Sequence, residues 1–256
     1  MKTEVPLLRS NQKLVSHVVH VWRAALGLSG AGYRKAQESL SVDERVRAER
    51  LASDNARKHY VAAHGILRVL LGTYLGQKPQ ALAFGTSSHG KPFLVKMREE
   101  RDLRFNLSHS HGYALYAFAL GREVGIDLEL VRANVEALKL AERFFAASEY
   151  HTLRRLPTAK GRERFFRYWT CREAYLKAKG TGLAFPLTAL EIDLDTASTT
   201  VRVTDHAAEP GSKSCLVKTL SLGAHFVGAV AAEGQDWEVC QGEWTESDFL
   251  GEGTAR

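Results

Sequence analysis

The sequence predicts a mixed helix-and-strand fold, and three observations carry that expectation. Runs rich in β-branched and aromatic residues, Tyr113–Leu120 and Val124–Leu130 above all, alternate with stretches of helical period. The 256 residues suffice for one large domain or two small ones with a real core. Hydrophobic content of 45% and charged content of 25% are ordinary for a globular chain and speak against wholesale disorder.

The elements follow in order. Within residues 1–25, "LVSHVVHVWRA" is β-branched with some alternation and reads as an opening strand. Ser41 is placed to cap a helix through "LSVDERVRAERLA", because Glu44 stands at capping-box spacing. A longer helix covers Asn55–Leu75 and stops at Gly76 and the Lys78-Pro79 break. "ALAFGTSSHGKPFLV" reads as strand, polar turn, strand, with Gly90 in the turn. Gly121 turns the chain between the two clearest strands. A helix near Val135–Phe145, a helical segment from Ser148 and a long helix from about Arg162 to Lys179 come next. "ALEIDLD", "CLVKTLSL" and "HFVGAVAA" read as strands, and "GEWTESDFLGEGTAR" is polar and acidic enough to trail as a loose tail. If the chain divides, the turn at Gly121–Gly125 is the place, although no Pro/Ser-rich linker marks it.

Charge and composition bound the partners. The formal net charge is +6, an excess that favours an acidic partner. The basic residues are dispersed, clustering moderately at Arg45–Arg50, Arg57–Lys58 and Arg162–Arg172 among acids. That pattern argues against a nucleic-acid-binding stripe. No apolar run approaches membrane-spanning length, and "MKTEVPLLRSNQK" lacks the apolar core of a signal peptide. Cys171, Cys215 and Cys240 are scattered without metal-type spacing, so a reducing cytoplasm is expected.

Some acids and bases sit where apolar residues belong. In "VGIDLEL", strand alternation puts Val124, Ile126, Leu128 and Leu130 on one face and Gly125, Asp127 and Glu129 on the other. The two carboxylates are then roughly 7 Å apart along the strand, near enough to converge on one ion. A merely solvated face reads the same way. On the long helix, Phe165, Phe166, Trp169 and Leu176 form an apolar sector that also holds Glu173, with Lys177 one turn beyond. A carboxylate there costs several kcal/mol unless it is paired or metal-bound. An exposed Glu-Lys pair contributes only about 0.3–0.5 kcal/mol, too little to explain the choice. Arg68 lies in the buried stripe of Tyr60, His64, Leu67 and Leu71 and needs an anion, either a structural carboxylate or a ligand. "SSHGKP" and "NLSHSHG" offer neither a zinc set nor a phosphate-binding Gly-Lys loop.

Taken in order, "GKPFL", "FNLSHS", "GIDLE", "RFFAASEY" and "FFRYWTCREAYLKAKGTGL" resemble the Sfp-type 4′-phosphopantetheinyl transferases, over about Leu40 to Leu194. The resemblance implies an α+β fold of two similar halves related by a pseudo-twofold axis. In this chain those are residues 1–122 and 123–235, followed by a tail at 236–256. It also implies a reaction on coenzyme A as co-substrate. The phosphopantetheine arm moves to a serine hydroxyl of an apo acyl or peptidyl carrier protein, leaving adenosine 3′,5′-bisphosphate.

By motif position, Asp127, Glu129 and Glu173 correspond to Mg2+ ligands. Glu173 is also the base for the serine, and Lys177 acts on the leaving phosphate. Ser108 and His109 correspond to phosphate contacts. Lys91 and Pro92 fall beside the adenine and 3′-phosphate, with Arg68 and Arg50 holding that end. A cytoplasmic monomer with neither nucleic-acid nor membrane partners is expected. Arg172 departs from the pattern, standing where many members carry Lys; Leu51 and Ala56 replace a frequent aromatic and a frequent Asp. A metal-dependent phosphohydrolase is the main rival, and it explains the acids but not the ordered motifs.

Overall fold

Two sheets face each other across a central core, and one long helix covers the outer face of each in the computed structural model. The structure describes residues 12–95, 102–182, 185–195, 198–223 and 225–250. The expectations for the first eleven positions, for Leu183 and for the last six positions lie outside them.

The first sheet contains β1 (Val18–Ala25), β4 (Leu103–Ser110), β5 (Tyr113–Leu120) and β11 (Glu238–Trp244), in the order β11-β1-β5-β4. The second contains β6 (Val124–Leu130), β7 (Leu190–Asp193), β8 (Thr200–Asp205), β9 (Cys215–Leu220) and β10 (Phe226–Glu233), in the order β6-β10-β9-β8-β7. A small hairpin of β2 (Phe84–Thr86) and β3 (Pro92–Leu94) stands apart. Among the described strands β1 and β11 form a parallel ladder, and the other strand ladders are antiparallel. The helices are α1 (Gly30–Ser39), α2 (Val42–Glu49), α3 (Asp54–Leu75), α4 (Ala137–Phe144), α5 (Ala147–Arg154) and α6 (Thr158–Lys179), with a short α7 (Ser247–Leu250).

Alternation along the strands divides the core into layers. Val19, Val21, Leu115 and Ala117 of the first sheet pack on Val124, Ile126, Leu128 and Val230 of the second. The opposite face of the first sheet, with Trp22, Phe105, Tyr116 and Phe118, packs on Ala62, Ile66, Leu67 and Leu71 of α3. The opposite face of the second sheet, with Ile192, Val217, Ala229 and Ala231, packs on Phe165, Ala174, Leu176 and Ala178 of α6. The capping box at Ser41 and Glu44 forms as the spacing predicts. Left-handed glycines end both long helices, Gly76 at φ 66 and Gly180 at φ 71.

Four elements escaped the sequence. α1 begins in a glycine-rich stretch, β8 lies in a polar segment, and β11 and α7 fall in the stretch expected to trail. Residues 236–256 are therefore not simply a tail: Glu238–Trp244 form the outer strand of the first sheet. Among the described residues no helix is long and apolar enough to cross a membrane. All three cysteines are buried thiols, with no disulfide among the described residues.

The two sheets also meet edge to edge, where β4 passes β6. No backbone ladder joins these strands among the described residues. Alternate β4 side chains supply the bonds. Asn106 Oδ1 accepts from Ile126 N (2.9 Å), Ser108 Oγ donates to Asp127 Oδ1 (2.9 Å), and Ser110 Oγ accepts from Leu130 N (3.4 Å).

Candidate active site

A glycine-permitted close approach at Gly125 builds the site. A Cβ at Gly125 would lie 2.1 Å from Ala174 O and 2.3 Å from Ala178 N, so the α6 backbone rests directly on β6 there. This contact brings the last turns of α6 over the face of β6 that carries Asp127 and Glu129. Lys177 Nζ consequently reaches Asp127 Oδ1 at 2.7 Å, Ser108 Oγ at 3.2 Å and Ile126 O at 3.2 Å. The solvated-face reading of "GIDLE" is thereby excluded for Asp127, which is 5% exposed.

Negative charge is crowded here. The Glu173 pKa is raised, first by burial and then by Asp127, with Glu129 adding and Lys177 opposing. Glu129 is likewise raised by burial and then by Asp127, against Arg132, Ser110 and Lys177. Asp127 Oδ2 is buried without a hydrogen-bond partner. An orphaned carboxylate oxygen amid two other acids fits a hard cation with oxygen ligands. Among the described residues, however, no three acidic, His or Cys side chains are gathered closely enough to form a ready metal centre. The Lys177 ammonium supplies the positive charge at Asp127 instead.

Ser108 is tied to Asp127 and Lys177 at the seam, whereas His109, the next residue, points to the α3 side. Its pKa is lowered first by partial burial and then by its neighbours His64, Lys177 and His59, which favours a neutral ring. Lys91 and Pro92 line a cleft of about 360 Å3 with Ser87, His89, Phe105 and Lys179. Lys91 Nζ is held by Glu123 Oε2 (2.7 Å) and Val124 O (3.1 Å), so the hairpin is anchored at the start of β6.

Three basic residues behave otherwise. Arg68 is 2% exposed, and its guanidinium donates to Glu44 Oε2 (2.6 Å), Pro79 O (2.7 Å) and Leu82 O (3.0 Å). The structural carboxylate that the sequence left open for it is Glu44. Arg50 is exposed at the C-terminal cap of α2. Arg172 turns away from Asp127: it is buried, lies over the Phe145 ring at 4.1 Å, and pairs with Glu149 and Leu190 O. Glu149 in turn accepts from Ile192 N (2.6 Å) and Ala146 N (3.0 Å). Within "RFFAASEY" the sequence gives Glu149 no task. Its signal was a lone acid among aromatics, the same oddity that drew attention to Glu173.

Acids and a lysine converging from a strand and a helix beside a cationic cleft define a phosphoryl-transfer type of site. The chain belongs to the 4′-phosphopantetheinyl transferase superfamily, whose model matches residues 123–231; a model of the 4′-phosphopantetheinyl transferase N-terminal region matches residues 29–120. It is 45% identical over 184 residues to the 4′-phosphopantetheinyl transferase HetI of Nostoc sp., covering 72% of this chain and 77% of that one. It is 30% identical over 192 residues to the 4′-phosphopantetheinyl transferase psf-1 of Bacillus pumilus, covering 75% and 78%.

Proposed function

We propose that the protein transfers the 4′-phosphopantetheine moiety of coenzyme A to a serine hydroxyl of an apo acyl or peptidyl carrier protein, releasing adenosine 3′,5′-bisphosphate. One observation supports this reading: Lys177 of α6 reaches Asp127 of β6 at 2.7 Å, and Glu129 and Glu173 are raised in pKa by burial and by the charge of Asp127 in the same partly buried place.

Asp127, Glu129 and Glu173 would hold Mg2+, which when bound offsets the charge of the coenzyme diphosphate and of the acids themselves. The chain's own groups do the rest. Glu173 is the base that takes the serine proton, in a site that positions hydroxyl and phosphorus together. Lys177 donates to the leaving phosphate oxygen as negative charge grows there, and Ser108 keeps the ammonium aimed. A neutral His109 can donate one hydrogen bond to a phosphate oxygen. The cleft at Lys91 and Pro92 suits the adenine end, since it pairs cations with the apolar walls of Phe93 and Phe105. Arg50, exposed at the C-terminal cap of α2, is the candidate for the 3′-phosphate. The reading takes the enzyme as a cytoplasmic monomer.

The test is mass spectrometry of purified apo carrier proteins incubated with coenzyme A and Mg2+. Each true partner gains the phosphopantetheine mass. Breakdown of coenzyme A without any carrier, and no gain on any carrier, would favour the phosphohydrolase.

A further inference from the structure

β6 is gripped at three successive residues. Gly125 lies under the α6 backbone, Asp127 is held by Ser108 and Lys177, and between them Ile126 is bound on both sides. Its carbonyl accepts from Lys177 Nζ at 3.2 Å, and its N–H donates to Asn106 Oδ1 at 2.9 Å. Asn106 is 5% exposed and faces the seam along with Ser108 and Ser110, two residues apart on β4. β6 is an edge strand here, with β10 as its one ladder partner among the described residues. Its outer N–H groups face β4 with no strand partner, and an unpaired buried N–H costs about 1–3 kcal/mol. The Asn106 side chain supplies the missing acceptor and fixes how far along β4 the acidic strand sits.

We infer that Asn106 is a positioning residue for transfer: it sets the β6 register that carries Asp127 and Glu129 to Glu173 and Lys177. Neighbouring Ser108 and Ser110 bond to side chains or at 3.4 Å, so they cannot replace a well-formed bond to the backbone. A shift of the acids by about 1 Å is expected to cost on the order of a hundredfold in turnover. This inference rests on the proposed reaction, and its test has a reading that does not.

Amide hydrogen exchange on the intact protein follows Ile126 directly. Protection at Ile126 comparable to that of central β10 amides is expected in the wild type; rapid exchange in the folded protein overturns the inference, whatever the enzyme does. Asn106→Leu keeps the volume and removes the acceptor. It should lose Ile126 protection and lower kcat by about a hundredfold, with KM for coenzyme A within threefold of wild type. Asn106→Asp keeps the acceptor oxygen and should retain both Ile126 protection and at least a tenfold higher kcat than Asn106→Leu. Equal losses in both variants, or near-normal kcat in Asn106→Leu, refute the role. If Asn106→Leu does not fold, wild-type protection and the Asn106→Asp kcat decide: loss beyond about a hundredfold with Ile126 still protected refutes it. Absence of transfer by the wild type itself would sink the proposed reaction and leave the exchange result standing.

Discussion

Adding one methyl group at Gly125 tests whether the site depends on the contact between α6 and β6. In Gly125→Ala the new Cβ would sit 2.1 Å from Ala174 O, 2.3 Å from Ala178 N and 2.8 Å from Lys177 C. All three atoms are helix backbone, so no side-chain rotation relieves the clash. Ordinary contact starts near 3.4 Å, which obliges α6 to retreat by about 1 Å. Overpacking of this kind costs about 1–3 kcal/mol, a modest loss for a fold of this size. Catalysis suffers more, because Glu173 and Lys177 ride on the displaced turns. Lys177 then leaves hydrogen-bond range of Ile126 O, now 3.2 Å away, and its 2.7 Å contact with Asp127 stretches. A misplacement near 1 Å corresponds to roughly a hundredfold loss of rate. The assay compares initial rates of carrier modification at saturating coenzyme A with unfolding midpoints in urea. A stable variant with turnover within threefold of wild type would show that the close approach does not position the site.

Other expectations follow from particular contacts. Glu173→Gln should abolish transfer while coenzyme A affinity, measured by calorimetry, stays within tenfold; near-normal turnover would remove Glu173 from its role. Glu149→Ala strands Arg172 in the core and should cost about 3–5 kcal/mol in denaturant unfolding, whereas replacing both partners by apolar residues should cost much less. Glu44 is pushed up by burial but pulled further down by His64, the Ser41 N–H and Arg68, to a pKa of about 2 against 4.5 normally. Its carboxylate therefore stabilises the fold fully above about pH 4.5, and that share fades as pH falls toward 2. Wild type should exceed Glu44→Gln by up to about 3 kcal/mol at neutral pH, with the gap closing across that window in urea titrations.

Legibility in the sequence followed the kind of interaction each residue makes. Period and capping are local, so α3, α6 and the Ser41–Glu44 box could be read directly. The polar face of "GIDLE" was visible, but whether it met water or a helix depended on a contact between elements, the one at Gly125. Arg68 reads as a misplaced charge, and Arg172 as a departure from the motif. Their partners, Glu44 and Glu149, are 24 and 23 residues away in sequence, and nothing local ties them together. β11 was lost for the same reason. A strand of mixed polarity is recognisable only once β1 is known to lie beside it.

That parallel pairing of β1 with β11 has a practical corollary. The polypeptide returns, after finishing its second sheet, to complete its first. Cutting the gene near codon 121 and producing either fragment alone would give one piece with a bare sheet edge and another with an unattached strand. Co-expression of the two pieces, by contrast, should let each fragment supply the other's missing border, as in a split reporter.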